Sequence, residues 1–322
     1  MPESDTHQQP VESVDLPKAR DGQPAATRPD LDFTPVHNGM DYLRSAVEHL
    51  AGQEWEHKVS EPDARALKYA VLHLHAAAEV LLKARLTHEH WSLVFSEPAA
   101  ASWDKYTDGD FQSCSIPTTL DRLERVARVP FPQKKRTAIT QLGETRNALT
   151  HYGHSKSAHR VEGQVATMLD LLITFISEHL QPTEGKEAPH VETAMRELRG
   201  RLGRVQKLVD KRMNGLAQQL QEHADYTVIC PECRQDALVV GQSPACLFCL
   251  QTYNAPREAA LRWGESIVGG GADDVDWSLE DCTACSASDT LPIPIDLFYL
   301  FPEEDRLLCF ACRAVYTHSE DQ

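Results

Sequence analysis

One short stretch of the sequence, GETRNALTHYGHS at residues 143–155, combines an arginine, an amide and a histidine at close spacing. In a helix Asn147 and His151 occupy positions i and i+4 on one face, with Arg146 about 100° round from Asn147. Cleavage of RNA by its own ribose 2′-hydroxyl needs these residue types. One group must move a proton near neutral pH, and a cation must stabilise the phosphorane oxyanions. The alternative to a reaction centre is that these residues are the solvent-exposed end of an ordinary helix.

The cysteines form a second pattern that could do chemistry. Eight of the nine lie in four C-x-x-C pairs after residue 229, with twelve residues inside the first quartet and twenty-three inside the second. Two such pairs complete a tetrahedral site of the kind zinc prefers, whereas disulfides and iron–sulfur ligation are the alternatives. The expected ligands of the two quartets are Cys230, Cys233, Cys246 and Cys249, and Cys282, Cys285, Cys309 and Cys312. Closed quartets predict two structural zinc ions per chain and no catalytic metal.

The two cysteine quartets also read as an internal repeat. Tyr253 and Tyr316 each follow the last cysteine of a quartet by four positions, and CPECRQDAL resembles CTACSASDTL. Units of this size have small cores and need a metal to hold them. We therefore expect tandem β-rich zinc ribbons, the first at residues 225–260 and the second, preceded by a linker, within residues 261–322.

The charge is unevenly distributed along the chain. The net charge is −16, yet residues 36–224 are neutral and residues 225–322 carry −12. Such an acidic surface repels phosphate, so the ribbons are expected to dock a regulatory protein rather than nucleic acid. The sequence places the best RNA-binding patch before the motif, with a merely solvated face as the alternative. Its members are Arg122, Arg125, Arg128, Lys134, Lys135 and Arg136.

Hydrophobic spacing predicts a mainly α-helical bundle over residues 35–185. The clearest helix is ARALKYAVLHLHAAAEVLLKARL, with a core stripe at Leu67, Val71, Leu74, Ala78 and Leu81 and a possible cap at Ser60. Residues 97–117 are expected to form a loop. A single basic amphipathic helix is predicted over 186–224, where a solvated face competes with a contact to RNA or an acidic partner. Residues 1–34 are polar, acidic and proline-rich, which predicts a disordered tail.

The RNALTH segment resembles the R-x(4–6)-H signature of HEPN-domain ribonucleases, whose all-helical bundles carry the motif on a late helix. The resemblance covers about residues 36–182 and implies that Arg146 and His151 are catalytic, with Asn147 assisting. It also implies that Glu79, on the second helix, orients Arg146, whereas the i, i+4 spacing of Glu79 and Lys83 favours, as the alternative, an ion pair at the edge of the bundle. Family members dimerise so that two motifs face one another and cut RNA without metal, and many act as toxins or in antiviral defence.

The resemblance thus favours a homodimeric endoribonuclease. The rival interpretation is a non-catalytic HEPN and zinc-ribbon module that acts as an adaptor or binds nucleotides. The sequence contains no apolar run of about 18 residues, and its first thirty residues lack the apolar core of a secretory signal. We therefore expect a cytoplasmic protein with no membrane contact.

Overall fold

A computed structural model describes residues 33–52, 54–55, 58–59, 61–151, 157–181, 188–268, 277–294 and 306–317. Nearly all of the expected N-terminal tail, Ser60, and Tyr152 and Gly153 behind the motif lie outside these residues. Within them the chain is mostly α-helical, with small antiparallel sheets that lie chiefly in the C-terminal third.

The helices of the bundle follow the predicted order. They are α1 (Pro35–Leu50), α2 (Ala64–Glu89), α3 (Trp103–Asp108), α4 (Ile116–Arg125), α5 (Gln133–His151) and α6 (Ala158–His179). A minimal hairpin, β1 (Glu54–Trp55) and β2 (Lys58–Val59), connects α1 to α2. The predicted stripe of α2 is fully buried, and α2 contacts α1, α4, α5 and α6. The core stripe predicted for this helix is therefore confirmed, and the helix is central in the bundle.

Two local expectations were wrong because short polar residues create helix ends. Asp63 caps α2, since its Oδ1 accepts a hydrogen bond from the amide of Ala66 at 2.7 Å. The expected loop over 97–117 contains α3, which begins after the cap residue Ser102 and ends at Gly109 with φ +70°. A serine N-cap and a left-handed glycine are enough to define one and a half turns.

The predicted long basic helix is two helices, α7 (Ala188–Leu202) and α8 (Gln206–Glu222). The break falls at Gly203, where the chain passes directly over the carbonyl of Cys233. Met195, Leu198 and Leu202 are buried in the main core, and α7 packs on α1 while α8 packs on α6. Arg199 is also buried. Much of this segment therefore belongs to the core.

The C-terminal part contains the remaining strands and one helix. A three-stranded antiparallel sheet has the order β3 (Thr227–Ile229), β4 (Asp236–Val239) and β5 (Ala245–Cys246). After α9 (Pro256–Trp263) come two hairpins, β6 (Trp277–Glu280) with β7 (Leu291–Pro294), and β8 (Arg306–Leu308) with β9 (Val315–Thr317). Each cysteine quartet is held by these short strands and their turns.

Candidate active site and metal centres

The motif lies at the C-terminal end of α5, at the edge of the bundle. Only Ile139, Leu142 and Thr145 of this helix are buried, and the Thr145 hydroxyl donates to the side-chain oxygen of Gln164 on α6 at 2.9 Å. Asn147 and His151 are exposed. The i, i+4 face that the sequence predicts is therefore turned to solvent, where a large substrate can reach it.

Arg146 and Asn147 contact each other directly. The guanidinium Nη1 of Arg146 donates a hydrogen bond to Oδ1 of Asn147 at 2.9 Å. This bond holds an always-charged planar group at the motif face, where its remaining N–H donors suit the oxygens of a phosphate. His151 is the last residue of α5, one turn further along the same face.

Glu79 has a different partner from the one that the family resemblance implies. Its carboxylate accepts a hydrogen bond from Lys83 Nζ at 2.6 Å, and Lys83 also donates to the Ser113 hydroxyl at 2.9 Å. The pair borders a cleft of about 370 Å³ whose walls include Tyr106 and Phe111. The ion pair anticipated from the i, i+4 spacing is thus present. Within the described contacts, Glu79 holds Lys83 rather than Arg146.

His75 is a residue of this region to which the sequence assigned no role. It lies on α2, one turn before Glu79, and a Cβ on Gly143 of α5 would stand 3.3 Å from its Nε2. Burial lowers the pKa of His75; the Glu79 carboxylate opposes this shift and the Arg146 guanidinium adds to it. The charges of Glu79 and Arg146, the two groups that the family resemblance pairs, therefore both act on His75. The sequence feature that could have indicated this close packing of α2 on α5 is Gly143, a glycine within the helix four positions before Asn147.

The basic cluster is divided by the fold. Arg122 donates to the backbone carbonyls of Leu93, at 2.6 Å, and Ser96, at 3.0 Å, as well as to that of Phe95. Arg136 binds two acidic side chains of α4, Asp121 at 2.8 Å and Glu124 at 2.7 Å. These two arginines stabilise the fold. The exposed members are Arg125, Arg128, Lys134 and Lys135, which flank the turn between α4 and α5.

The thiols of each predicted quartet come together. In the first, Cys230 and Cys249 have sulfurs 3.8 Å apart, and those of Cys233 and Cys246 are 3.7 Å apart. In the second, the distances are 3.6 Å for Cys282 to Cys312 and 4.0 Å for Cys285 to Cys309. A tetrahedron with zinc–sulfur bonds of about 2.3 Å has sulfurs about 3.8 Å apart, whereas a disulfide needs about 2.05 Å. Both quartets therefore fit a metal ion and not disulfides.

All four C-x-x-C segments share one backbone geometry. We call each segment, with the residue that follows it, a knuckle. The amide of that following residue bonds to the carbonyl of the first cysteine, at 2.7–3.0 Å. The following residue has φ between +58° and +66° in every case, although none is glycine; the four are Arg234, Leu250, Ser286 and Arg313. The repeat seen in the sequence is thus a repeat of conformation, and it aims each pair of sulfurs at one point.

Tyr253 and Tyr316, at equivalent positions of the two quartets, have different roles. Tyr253 is buried in the main core. The hydroxyl of Tyr316 lies 3.0 Å from the sulfur of Cys282 and accepts a hydrogen bond from the amide of Ala284 at 3.1 Å. The second quartet therefore uses its tyrosine to support a ligand sulfur, which is the kind of outer contact that orients metal ligands.

Fold and site together define a helical-bundle protein with two Cys₄ clusters that fit a metal ion and an accessible helix end that carries Arg146, Asn147 and His151. Comparison with protein-family models, with curated proteins and with solved structures finds no match. Among the described residues, no helix combines the length and the apolar character that crossing a bilayer requires.

Proposed function

We propose that the protein is a metal-independent endoribonuclease of the HEPN type, with a toxin or antiviral defence role in the cytoplasm. The observation that carries the proposal is the exposed end of α5, where Arg146 is fixed to Asn147 by a hydrogen bond beside His151. Asn147 and His151 thus lie on one accessible face of a helix that the bundle holds in place, and the hydrogen bond brings the guanidinium of Arg146 to Asn147.

The chemistry follows from the roles of these groups. His151 accepts the proton of a ribose 2′-hydroxyl, and the 2′-oxygen attacks the adjacent phosphorus. Arg146 stabilises the negative charge that develops on the phosphorane oxygens, and Asn147 positions it. The 5′-oxygen leaves with a proton, which gives a 2′,3′-cyclic phosphate and a free 5′-hydroxyl. No metal ion takes part in this reaction.

Two features extend the proposal beyond the motif. The face of α5 that carries Asn147 and His151 is open to solvent, so a second copy can place its own motif opposite and supply the other proton-transfer group. The exposed patch of Arg125, Arg128, Lys134 and Lys135 surrounds the beginning of α5, roughly 25 Å from the motif at its other end, so it is proposed to hold a more distant part of the same RNA backbone. The protein is then a homodimer with RNA across its two-fold axis.

The zinc ribbons supply regulation in this proposal. Their sequence is strongly acidic, and a Zn(Cys)₄ centre adds about two negative charges, so they suit a protein partner with a basic surface.

Product analysis tests the proposed reaction. Purified protein is incubated with RNA and EDTA, and the products are examined for 2′,3′-cyclic phosphate ends. A substrate with a 2′-deoxy sugar at the cleavage position should resist cleavage. RNA that is bound but stays intact, under conditions in which the dimer forms, would favour the non-catalytic adaptor.

A further inference from the structure

The two metal centres have the same knuckle geometry but differ in their access to solvent. All four cysteines of the first quartet are buried. In the second quartet Cys282 and Cys309 are buried, whereas Cys285 and Cys312, the second cysteine of each knuckle, are exposed. One molecule therefore contains a protected centre and an accessible one built from the same chemical groups.

The packing around the two quartets also differs, and it protects the first quartet more than the second. The first quartet belongs to the main hydrophobic core and lies among Leu238, Phe248 and Tyr253. The second forms a separate small cluster, in which Leu291 and Ala311 are the buried apolar partners of Cys282 and Cys309. A core this small depends on its metal for stability, so losing the ion at the second centre has a larger local effect.

We propose that the second quartet is a site of oxidative modification, at which hydrogen peroxide converts zinc-bound thiolates to a disulfide and releases the ion. The exposed thiolate of Cys312 attacks one oxygen of the peroxide; the O–O bond breaks, and hydroxide and a sulfenic acid form. A second thiolate of the quartet then attacks the sulfenic sulfur, forms the S–S bond and expels another hydroxide. Cys282 is in place for this step, with its sulfur 3.6 Å from that of Cys312.

The electrons and atoms of this step balance. Each of the two sulfurs loses one electron, the peroxide gains two, and the two hydroxides take protons from water or buffer. Two of the four thiolates that would hold the ion are then joined in a disulfide, so the quartet can no longer bind it. The negative charge of the ribbons does not hinder the reagent, because hydrogen peroxide is neutral at physiological pH.

The knuckle that contains Cys312 also contacts the first ribbon. The amide of Gly241 donates to the carbonyl of Phe310 at 3.0 Å, and Arg313 Nε donates to the carbonyl of Val240 at 2.8 Å. The guanidinium of Arg313 also lies 4.0 Å from the ring centre of Tyr226. These contacts depend on the conformation around Cys309 and Cys312. Oxidation therefore loosens the second ribbon from the first, and this consequence is independent of any activity towards RNA.

Zinc release measured against a metal indicator tests the proposal on the full-length protein. Hydrogen peroxide should release one equivalent of zinc per chain at least about tenfold faster than the second, since only one quartet exposes thiolates. Peptide mapping should place the early disulfide between cysteines of the second quartet. Dithiothreitol with added zinc should restore both ions.

Two matched substitutions locate the reactive thiolate. Cys312→His and Cys249→His each exchange the last ligand of a quartet for another zinc ligand. The fast phase should slow markedly in Cys312→His and stay unchanged in Cys249→His. The zinc content of each variant is measured before oxidation. If a variant does not bind two zinc ions, the position of the early disulfide in the wild-type protein tests the proposal instead. Release of both ions at one rate, or an early disulfide within the first quartet, would overturn the proposal.

Discussion

A Cβ placed on Gly203 would lie 2.1 Å from the carbonyl oxygen of Cys233. The turn between α7 and α8 thus rests on the first knuckle, with no space for a side chain. A second contact lies nearby, where Arg212 of α8 bonds to Asp170 of α6 and to the carbonyl of Leu247. The first cysteine quartet is therefore part of the same packed structure as the helical bundle.

Gly203→Ala should destabilise the protein. The new methyl group meets backbone atoms, which cannot move aside as a flexible side chain can, and overpacking of this kind costs about 1–3 kcal/mol. Gly215→Ala is the matched control: this residue lies inside α8 with no atom near its Cβ position, and alanine there should add about 0.5–1 kcal/mol. Urea unfolding of both variants measures the difference, and equal stability of the two would contradict this packing.

Each chain should bind two zinc ions. Elemental analysis of the purified protein should give about two equivalents, because both quartets have tetrahedral sulfur spacing. Cys230→Ala should lose one of them, whereas Cys114→Ala should keep both, since Cys114 lies in the bundle beside Thr119. A folded C-terminal region without metal would refute the assignment of the quartets.

His75 should make stability depend on pH. Burial and Arg146 hold its pKa below the usual value of about 6.5, so the unfolded chain binds its proton more readily. The neutral ring therefore contributes stability that is complete above about pH 6.5 and is lost as pH falls through the folded-state pKa. Burial also lowers the pKa of His73 and of His179, which add to the same trend.

Unfolding free energies of wild type and His75→Gln at several pH values between about 5 and 7.5 isolate this contribution. The variant should lose less stability than wild type on acidification. His159→Gln, at an exposed histidine of α6, controls for the substitution itself. Identical curves for wild type and His75→Gln would show that His75 does not titrate with unfolding.

The protein should be a homodimer in solution. The motif face of α5 is exposed in the single chain, and the proposed reaction needs a proton-transfer group on each side of the phosphate. Light scattering at micromolar concentration should give twice the mass of 36.0 kDa. A monomer under these conditions would argue against a site shared between two copies.

What the sequence could predict depended on how local the determining contacts are. The cysteine quartets were predictable because C-x-x-C spacing and tetrahedral geometry constrain each other, and α2 was predictable because its apolar positions recur at helical spacing. The break at Gly203 was not, since its cause is a carbonyl thirty residues away in the chain. The structural role of Arg122 was also not predictable, because its hydrogen-bond acceptors are backbone carbonyls at residues 93–96.

In the candidate site, too, the features set by local spacing were predictable and those set by packing between helices were not. The single helix α5 brings Arg146, Asn147 and His151 to one end, so their spacing was sufficient to group them. The partner of Glu79 depended on packing between helices. Sequence alone offered both Lys83, from i, i+4 spacing, and Arg146, from the family resemblance, and the fold joins Glu79 to Lys83.

The central claim is that the end of α5 is the reaction centre, and a comparison of two histidine variants tests it most directly. RNA cleavage is measured for wild type, His151→Ala and His159→Ala at equal concentrations, with circular dichroism to confirm equal folding. Loss of the proton-transfer group should lower the rate of His151→Ala by about 10²-fold or more, while His159→Ala, which changes an exposed histidine on α6, should match wild type. Equal cleavage by wild type and His151→Ala would show that this motif is not where RNA is cut.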